Sequence, residues 1–251
     1  MSATDRIALV TGGGRGIGAA TARLLAREGY FVCINYRSDA ASARSVALGI
    51  GEAGGRCQVI QADVSQEAEV VRLFAAIDRL SGRLSVLVNN AGILHTQMRL
   101  EDMSAERINS VLATNVTGPF LCCREAVKRM STRHGGAGGA IVNVSSAAAR
   151  TGSPNEYIDY AASKGALDSM TRGLALEVAA EDIRVNGVRP GLIHTGIHAD
   201  GGEPGRVERL RDRIPMQRGG KPEEIAEAIL WLVSERSSYC TGSMIDLAGG
   251  L

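Results

Sequence analysis

Ile7-Ala8-Leu9-Val10-Thr11-Gly12-Gly13-Gly14-Arg15-Gly16-Ile17-Gly18 carries an apolar strand-like run straight into a glycine-rich turn, and Ile17, Thr21, Leu24 and Leu25 follow at helical spacing. Glycines allow a tight turn and let backbone N–H groups approach a pyrophosphate, whose charge the N-terminus of the following helix favours. No Gly-Lys-Ser/Thr follows, so nothing supplies the lysine and hydroxyl of a nucleoside-triphosphate loop. At the first strand–helix junction of a chain, such a turn reads as a dinucleotide cradle rather than a packing turn. Gly12, Gly14, Arg15, Gly16, Ile17 and Gly18 are therefore candidate cofactor-binding residues.

The same alternation continues to the end of the chain. Ile7–Thr11, Phe31–Asn35, Cys57–Ala62, Leu84–Asn89, Ala140–Ser145, Arg184–Arg189 and Ser243–Asp246 read as strands, several of them unbroken apolar runs suited to parallel strands covered on both faces. Between them lie helical patterns. Val70, Phe74, Ile77 and Leu80 follow a cap candidate at Ser65, and Pro222 with Glu223 and Glu224 opens the last helix. Two longer helices are expected over 104–130 and 155–180. The pattern predicts an α/β fold, one doubly wound parallel sheet of about seven strands with helices on both faces. No linker divides residues 1–251, and His134–Gly139 only joins a helix to the next strand. The stretch 194–218 stands outside the rhythm, polar and irregular, and reads as a substrate flap.

Composition removes several function classes. With 28 basic and 27 acidic residues the net charge is +1, which offers no electrostatic case for nucleic acid or a membrane surface. The five cysteines form no CxxC pair, so they read as reduced, mostly buried thiols. The N-terminus lacks a signal-peptide shape and the chain an apolar span, so the expected location is cytoplasmic. His95, His134, His194 and His198 show no metal spacing, and no metal is expected.

At the end of the second strand, where an acid often binds the ribose diol, the residues are Asn35-Tyr36-Arg37, with no carboxylate before Asp39. Arg15 and Arg37 could clamp a 2′-phosphate, which favours NADP(H), with NAD(H) the second choice. Further along, Tyr160 and Lys164 lie four apart on the expected helix 155–180, with Ser146 fourteen residues before the tyrosine. A free phenol titrates near ~10, and a fixed cation beside it favours the phenolate, so the expectation is a lowered pKa that makes Tyr160 a usable proton donor and acceptor near pH ~7.

Asp63-Val64, Asn89-Asn90-Ala91-Gly92, Asn115-Val116-Thr117-Gly118, Asn143-Val144-Ser145-Ser146, Tyr160 with Lys164, and Pro190-Gly191-Leu192-Ile193-His194-Thr195 follow the opening glycine turn in order. With these seven motifs the chain closely resembles the short-chain dehydrogenase/reductase family over essentially its whole length, including members like 3-oxoacyl-carrier-protein reductase and glucose dehydrogenase. The resemblance implies a Rossmann-type domain that moves a hydride between nicotinamide and a carbonyl or alcohol. It makes Tyr160 the acid/base, Ser146 the partner of the substrate oxygen, and Lys164 the holder of the ribose hydroxyls. Asn115 would anchor a water linking Lys164 to solvent. Asp63 and Val64 would meet the adenine. Asn89, Ala91 and Gly92 would line the adenosine side, and Pro190, Ile193 and Thr195 the nicotinamide side. The family pattern selects Ser146 over Ser145, as the second serine of its run.

Tyr157 cannot be the acid/base, because position 161 is alanine; it is expected on the substrate side or in packing. Arg206, Arg209, Arg211, Arg213 and Arg218, interleaved with Glu203, Glu208 and Asp212, read as a solvated face. The partner is a small carbonyl or alcohol, with sugars, 3-oxoacyl thioesters, steroids and xenobiotic ketones all open. The family commonly forms dimers and tetramers, and apolar or small residues on more than one face of the two long helices favour a homotetramer, then a dimer. The alternative to an enzyme is a non-catalytic NADP(H)-binding sensor on the same fold. A complete Asn115/Ser146/Tyr160/Lys164 set favours the enzyme.

Overall fold

In the computed structural model, residues 6–251 are described, so the reading of Met1–Asp5 falls outside them. In chain order the elements are β1 (Arg6–Val10), α1 (Gly16–Arg27), β2 (Phe31–Tyr36), α2 (Ala40–Glu52), β3 (Arg56–Gln61), α3 (Glu67–Ile77) and β4 (Arg83–Asn89). Then come α4 (Ala105–Leu112), α5 (Gly118–Met130), β5 (Gly139–Val144), the short α6 (Ala148–Thr151) and α7 (Ile158–Val178). The chain ends with β6 (Ile183–Pro190), the short α8 (Ile197–Asp200) and α9 (Arg206–Leu210), α10 (Pro222–Val233) and β7 (Met244–Leu247).

The strands form one seven-stranded sheet in the order β3-β2-β1-β4-β5-β6-β7, and every neighbouring pair is parallel. Alternate strand residues face opposite layers, as the pleat requires. Ala8, Val10, Val86 and Val88 join the core under α1 and α10, whereas Ile7, Leu9 and Leu87 join the core under α3, α5 and α7. That two-sided burial is why the strands read as unbroken apolar runs. The chain departs from β1 toward β2 and β3, then returns to the other side of β1 with β4. This reversal opens a crevice beyond the carboxyl ends of β1 and β4, where open α/β sheets take their ligands.

Three expected boundaries differ. Residues 105–130 run as one helical stretch, but a π-helical turn, Ala113–Thr117, interrupts its α-register between α4 and α5. Pro119 has no N–H for the carbonyl four residues before it, that of Asn115, so an α-register cannot be completed there. Packing adds a constraint, because a Cβ on Gly118 would lie 3.0 Å from the Val64 side chain and 3.1 Å from its carbonyl oxygen. The second long helix starts at Ile158 rather than near Asn155, since Ser153 and Asn155 hold left-handed φ values of 43° and 62° around Pro154. Ser65 is not a cap. Its N–H and hydroxyl donate to Asp63 at 2.9 and 2.8 Å, and α3 begins after Gln66.

Candidate active site

The glycine turn is held from two sides by asparagines. Asn90, just past β4, donates its side-chain amide to the carbonyls of Thr11 (2.9 Å) and Gly12 (3.1 Å). The Thr11 hydroxyl oxygen accepts in return from the backbone N–H groups of Asn90 and Ala91, each at 3.0 Å. From the other side, Asn35 at the end of β2 accepts from Gly12 N–H (3.3 Å) and donates to the carbonyl of Ala62 (2.9 Å). The sequence reading missed the role of both Asn35 and Asn90; for Asn35 the available signal was a polar residue interrupting an apolar strand, buried and therefore obliged to bond, whereas half-buried Asn90, just past β4, offered no such signal. Gly12 and Gly16 have positive φ, 62° and 53°. Gly18 does not reach the cleft. It packs the first turn of α1 against the loop, where a Cβ would come within 2.4 Å of the Gly12 carbonyl. Arg15, the N-cap of α1, makes no side-chain cap bond, so the helix end presents its N–H groups to the cleft where Gly14, Gly16 and Ile17 line it.

Beyond the turn lies the end of β2. Arg37 is exposed there on the cleft wall, and its guanidinium has no ion-pair partner among the described residues. Asp39 caps α2, accepting from the Ser42 N–H and hydroxyl at 2.9 and 2.5 Å. Asp63 and Val64 line the same end. Arg15, by contrast, is paired: its two terminal nitrogens meet the two carboxylate oxygens of Asp200 in α8.

At the other end, the first turns of α7 face the carboxyl end of β5. Tyr160 and Lys164 both line the cleft, with Lys164 Nζ 5.5 Å from the centre of the Tyr160 ring. Nζ donates to the carbonyl of Val144 at 2.8 Å. The expected lowering of the Tyr160 phenol is not what the site produces: burial pushes it up to about 12, with the Ser146 hydroxyl acting to lower it. Burial also pulls the Lys164 ammonium down to about 8, opposed by the nearby Asp168 carboxylate. The two serines separate by environment: Ser145 is buried and donates to the Lys164 carbonyl (3.2 Å), whereas Ser146 is half-buried on the cleft wall.

Asn115 sits in the π turn, fully buried behind the cleft wall. Its side chain accepts from Ile93 N–H (2.8 Å) and donates to the Ile93 carbonyl (2.9 Å) and Ser163 Oγ (3.1 Å). Gly92 joins it to the lysine, since a Cβ there would stand 3.5 Å from both Asn115 Oδ1 and Lys164 Nζ. Ala91 and Gly92 line the cleft, but Asn89 does not. Residues 87 and 89 of β4 point to the α5 side, where the Asn89 amide donates to Asn143 Oδ1 (2.9 Å) and the Cys123 thiol. Pro190, Ile193 and Thr195 close the wall beyond β6.

One support was not anticipated. Asp159, at the start of α7, accepts from the Tyr160 N–H at 2.9 Å and forms a two-point pair with Arg107 of α4 at 2.8 and 3.3 Å. Both side chains are buried, with exposures of 2% and 10%. The flap is also more than a solvated face. Arg206 is largely buried, pairs with Glu156 and Glu203, and lies 5.1 Å from the Tyr157 ring centre. Tyr157 is a packing residue at the cleft edge whose hydroxyl donates to the Gly201 carbonyl at 3.3 Å. The solvated reading holds for Arg209, Arg211, Arg213 and Arg218, all exposed. His198 is no solvated histidine either, because its Nε2 lies 2.9 Å from the Ile193 carbonyl oxygen and burial lowers its pKa.

The cleft between these two ends has a volume of about 740 Å³, within the usual range for a cofactor site. A glycine turn without side chains, an open helix end and an unpaired arginine fit a phosphate-bearing dinucleotide lying across it.

The family model described as enoyl-(acyl carrier protein) reductase matches residues 12–251. The chain is a short-chain dehydrogenase/reductase. This dehydrogenase/reductase is 64% identical to the uncharacterized oxidoreductase YgfF of Escherichia coli K12, over 97% of the chain and 99% of that protein. It is 39% identical to 3beta-hydroxysteroid dehydrogenase 1 of Eggerthella lenta (97% and 92% covered) and 36% identical to glucose 1-dehydrogenase 2 of Bacillus subtilis (99% and 95% covered). A crystal structure of a dehydrogenase/reductase from Sinorhizobium meliloti superposes with a TM-score of 0.90 at 33% identity, covering 99% of this chain and 96% of that one. The short-chain dehydrogenase/reductase is thus an oxidoreductase with a Rossmann-type sheet.

Proposed function

We propose that the protein is an NADP(H)-dependent oxidoreductase acting on a carbonyl/alcohol pair, with Tyr160 as acid/base. The observation that carries this reading is the convergence of Tyr160, Ser146 and Lys164 at one end of a cleft whose other end presents Arg37. The nicotinamide, when bound, supplies the hydride. The protein's own task is to bind, orient and move a proton.

Tyr160 is protonated at neutral pH with its phenol pushed up to about 12, which suits it to donate a proton to a carbonyl oxygen being reduced. Ser146, whose hydroxyl acts on the phenol from the same cleft wall, would position that oxygen with a hydrogen bond of its own. Lys164 is anchored by the Val144 carbonyl, and its charge beside the ring favours the phenolate left after donation. Asn115, Gly92 and Lys164 lie close enough for a water to pass protons behind the ring. At the adenosine end, Arg37 would take a 2′-phosphate and Val64 the adenine face. Relatives named for a 3beta-hydroxysteroid and for glucose support a hydroxyl-bearing substrate or its carbonyl counterpart, the substrate class we favour.

A panel of ketones and alcohols, read at the nicotinamide absorbance with NADPH, NADH and their oxidised forms, tests this reading. Tyr160→Phe should abolish turnover and leave NADPH affinity within about twofold, while Tyr157→Phe should cost far less. NADPH should exceed NADH in kcat/KM by about thirty- to two-hundredfold, the equivalent of roughly 2 to 3 kcal/mol. Arg37→Leu should erode that margin through KM. Tight NADPH binding without turnover across the panel would instead support a sensor.

A further inference from the structure

Arg15 faces two ways. It belongs to the glycine turn, yet its terminal nitrogens are held by a residue 185 positions away, Asp200 of the flap. The Nη1–Oδ1 contact is 3.3 Å and the Nη2–Oδ2 contact is shorter still. The flap lies directly over the turn here, since a Cβ on Gly16 would stand 3.2 Å from the Thr195 side chain and one on Gly196 would stand 3.5 Å from Arg15 Nη1. The guanidinium is also within electrostatic reach of the ribose end. The Asp200 hydrogen bond does most to raise its pKa, and the Asp39 carboxylate at the cap of α2 contributes as well. The rest of the flap is fastened elsewhere, through Arg206 to Glu156 and through Tyr157 to Gly201. Beyond the packing of Thr195 on Gly16, the Asp200 pair is the polar contact that ties it to the phosphate turn among the described residues.

We propose that Asp200 is a cofactor-specificity residue: it occupies the Arg15 guanidinium until a 2′-phosphate displaces it, so that NADP(H), and not NAD(H), releases the α8 edge of the flap. This rests on the NADP(H) reading above. The two terminal nitrogens of a guanidinium meet one phosphate or one carboxylate at a time, and Asp200 neutralises the charge the phosphate would otherwise meet. The pair is half-exposed, at 57% and 42% side-chain accessibility, so it is weak enough to be exchanged for a doubly charged ligand. NADH has no group to compete and leaves the pair in place.

The test is equilibrium binding to the full chain, by calorimetry or nucleotide fluorescence, using NADPH, NADH, 2′,5′-ADP and 5′-ADP. Asp200→Asn keeps the shape and removes the charge. It should tighten NADPH and 2′,5′-ADP by about fivefold, the upper end for a half-exposed pair, and leave NADH and 5′-ADP unchanged. Arg15→Gln should weaken the two 2′-phosphorylated ligands, and Asp200→Asn added to it should change nothing further. Amide exchange across 197–200 should rise in wild type with 2′,5′-ADP and not with 5′-ADP. An equal shift for both nucleotide classes would mean that Asp200 only shapes the flap, and a loss of NADPH affinity would mean that the pair clasps the cofactor; either overturns the proposal. If wild type binds NADH more tightly than NADPH, the cofactor reading itself fails and takes this one with it. If NADPH is preferred and Asp200→Asn is silent, the proposal alone falls.

Discussion

Lys164 shows what the site costs the fold. Its ammonium is 3% exposed and bonded to one carbonyl, and burial brings its pKa from 10.5 down to about 8. A lowered lysine pKa penalises the folded state wherever the group is charged in the native protein, so the penalty is complete below pH 8. From pH 8 to 10.5 the unfolded chain holds more protons than the native one, and stability must rise with pH. Tyr160, raised to about 12 from 10, acts oppositely above pH 10, where the native state retains the proton and stability falls. The cofactor-free protein should therefore gain stability from pH 8 toward pH 10 and lose it beyond. Lys164→Met should abolish turnover yet raise cofactor-free stability at pH 7 by up to about 3 kcal/mol, the equivalent of the shift less any packing loss. Denaturant unfolding across pH checks both. A destabilised Lys164→Met with the same pH slope as wild type would show that the lysine is not the group at fault.

The elements that carry Tyr160 depend on a contact with no local signature. Asp159 binds the Tyr160 N–H and is held by Arg107, 52 residues away, with both side chains out of solvent. Breaking a buried pair strands a charge and typically costs ~3–5 kcal/mol, much more than an exposed pair. Arg107→Ala should lower the urea midpoint accordingly and reduce kcat more than KM, because the start of α7 loses its anchor while the cofactor turn is untouched. A double Arg107→Leu/Asp159→Asn variant should recover stability but not kcat. Comparison of the three proteins by unfolding and steady-state kinetics decides it: equal loss in kcat and in NADPH affinity would point to general unfolding instead. This pair also marks where reading the sequence stops. Tyr160, Lys164 and the glycine turn were legible because their chemistry is set by spacing within one helix or one turn. Asn89 was misplaced because strand phase decides which of two adjacent asparagines faces the cleft. Residues 86 and 88 of β4 belong to one core and 87 and 89 to the other, which buries Asn89 and leaves Asn90 as the strap. The π turn at Asn115 was hidden for a related reason: Pro119 announces a missing N–H, but α4 and α5 have apolar patterns that run on through it.

At the scale of the whole molecule, the doubly wound parallel sheet followed from the alternation of strands and helices and the irregular stretch 194–218 stood out as a flap, yet the way that flap is fastened did not follow from anything local. By composition its charges read as a solvated face, whereas the fold sinks Arg206 against Tyr157 and Glu156. What the sheet leaves uncovered is equally specific. Phe120 on α5 and Leu176 on α7 are 53% and 66% exposed, and Leu112 at the end of α4 is 36% exposed. Three large apolar side chains on the helices of one layer are costly to leave in water, and burying the exposed remainder of each would gain roughly 0.5 to 2 kcal/mol. The same layer holds the π turn and the first turn of α7, so contact between subunits there would brace Asn115 and Tyr160 from outside. We propose that this surface meets a second subunit; the expected assembly stays a homotetramer, with a dimer as the second choice. Light scattering at micromolar concentration should give a multiple of the chain mass. Phe120→Lys together with Leu176→Lys should lower that multiple, and with it the thermal midpoint and kcat at low protein concentration. A monomer in wild type, or a double variant with unchanged mass, would show that these helices do not meet a second subunit.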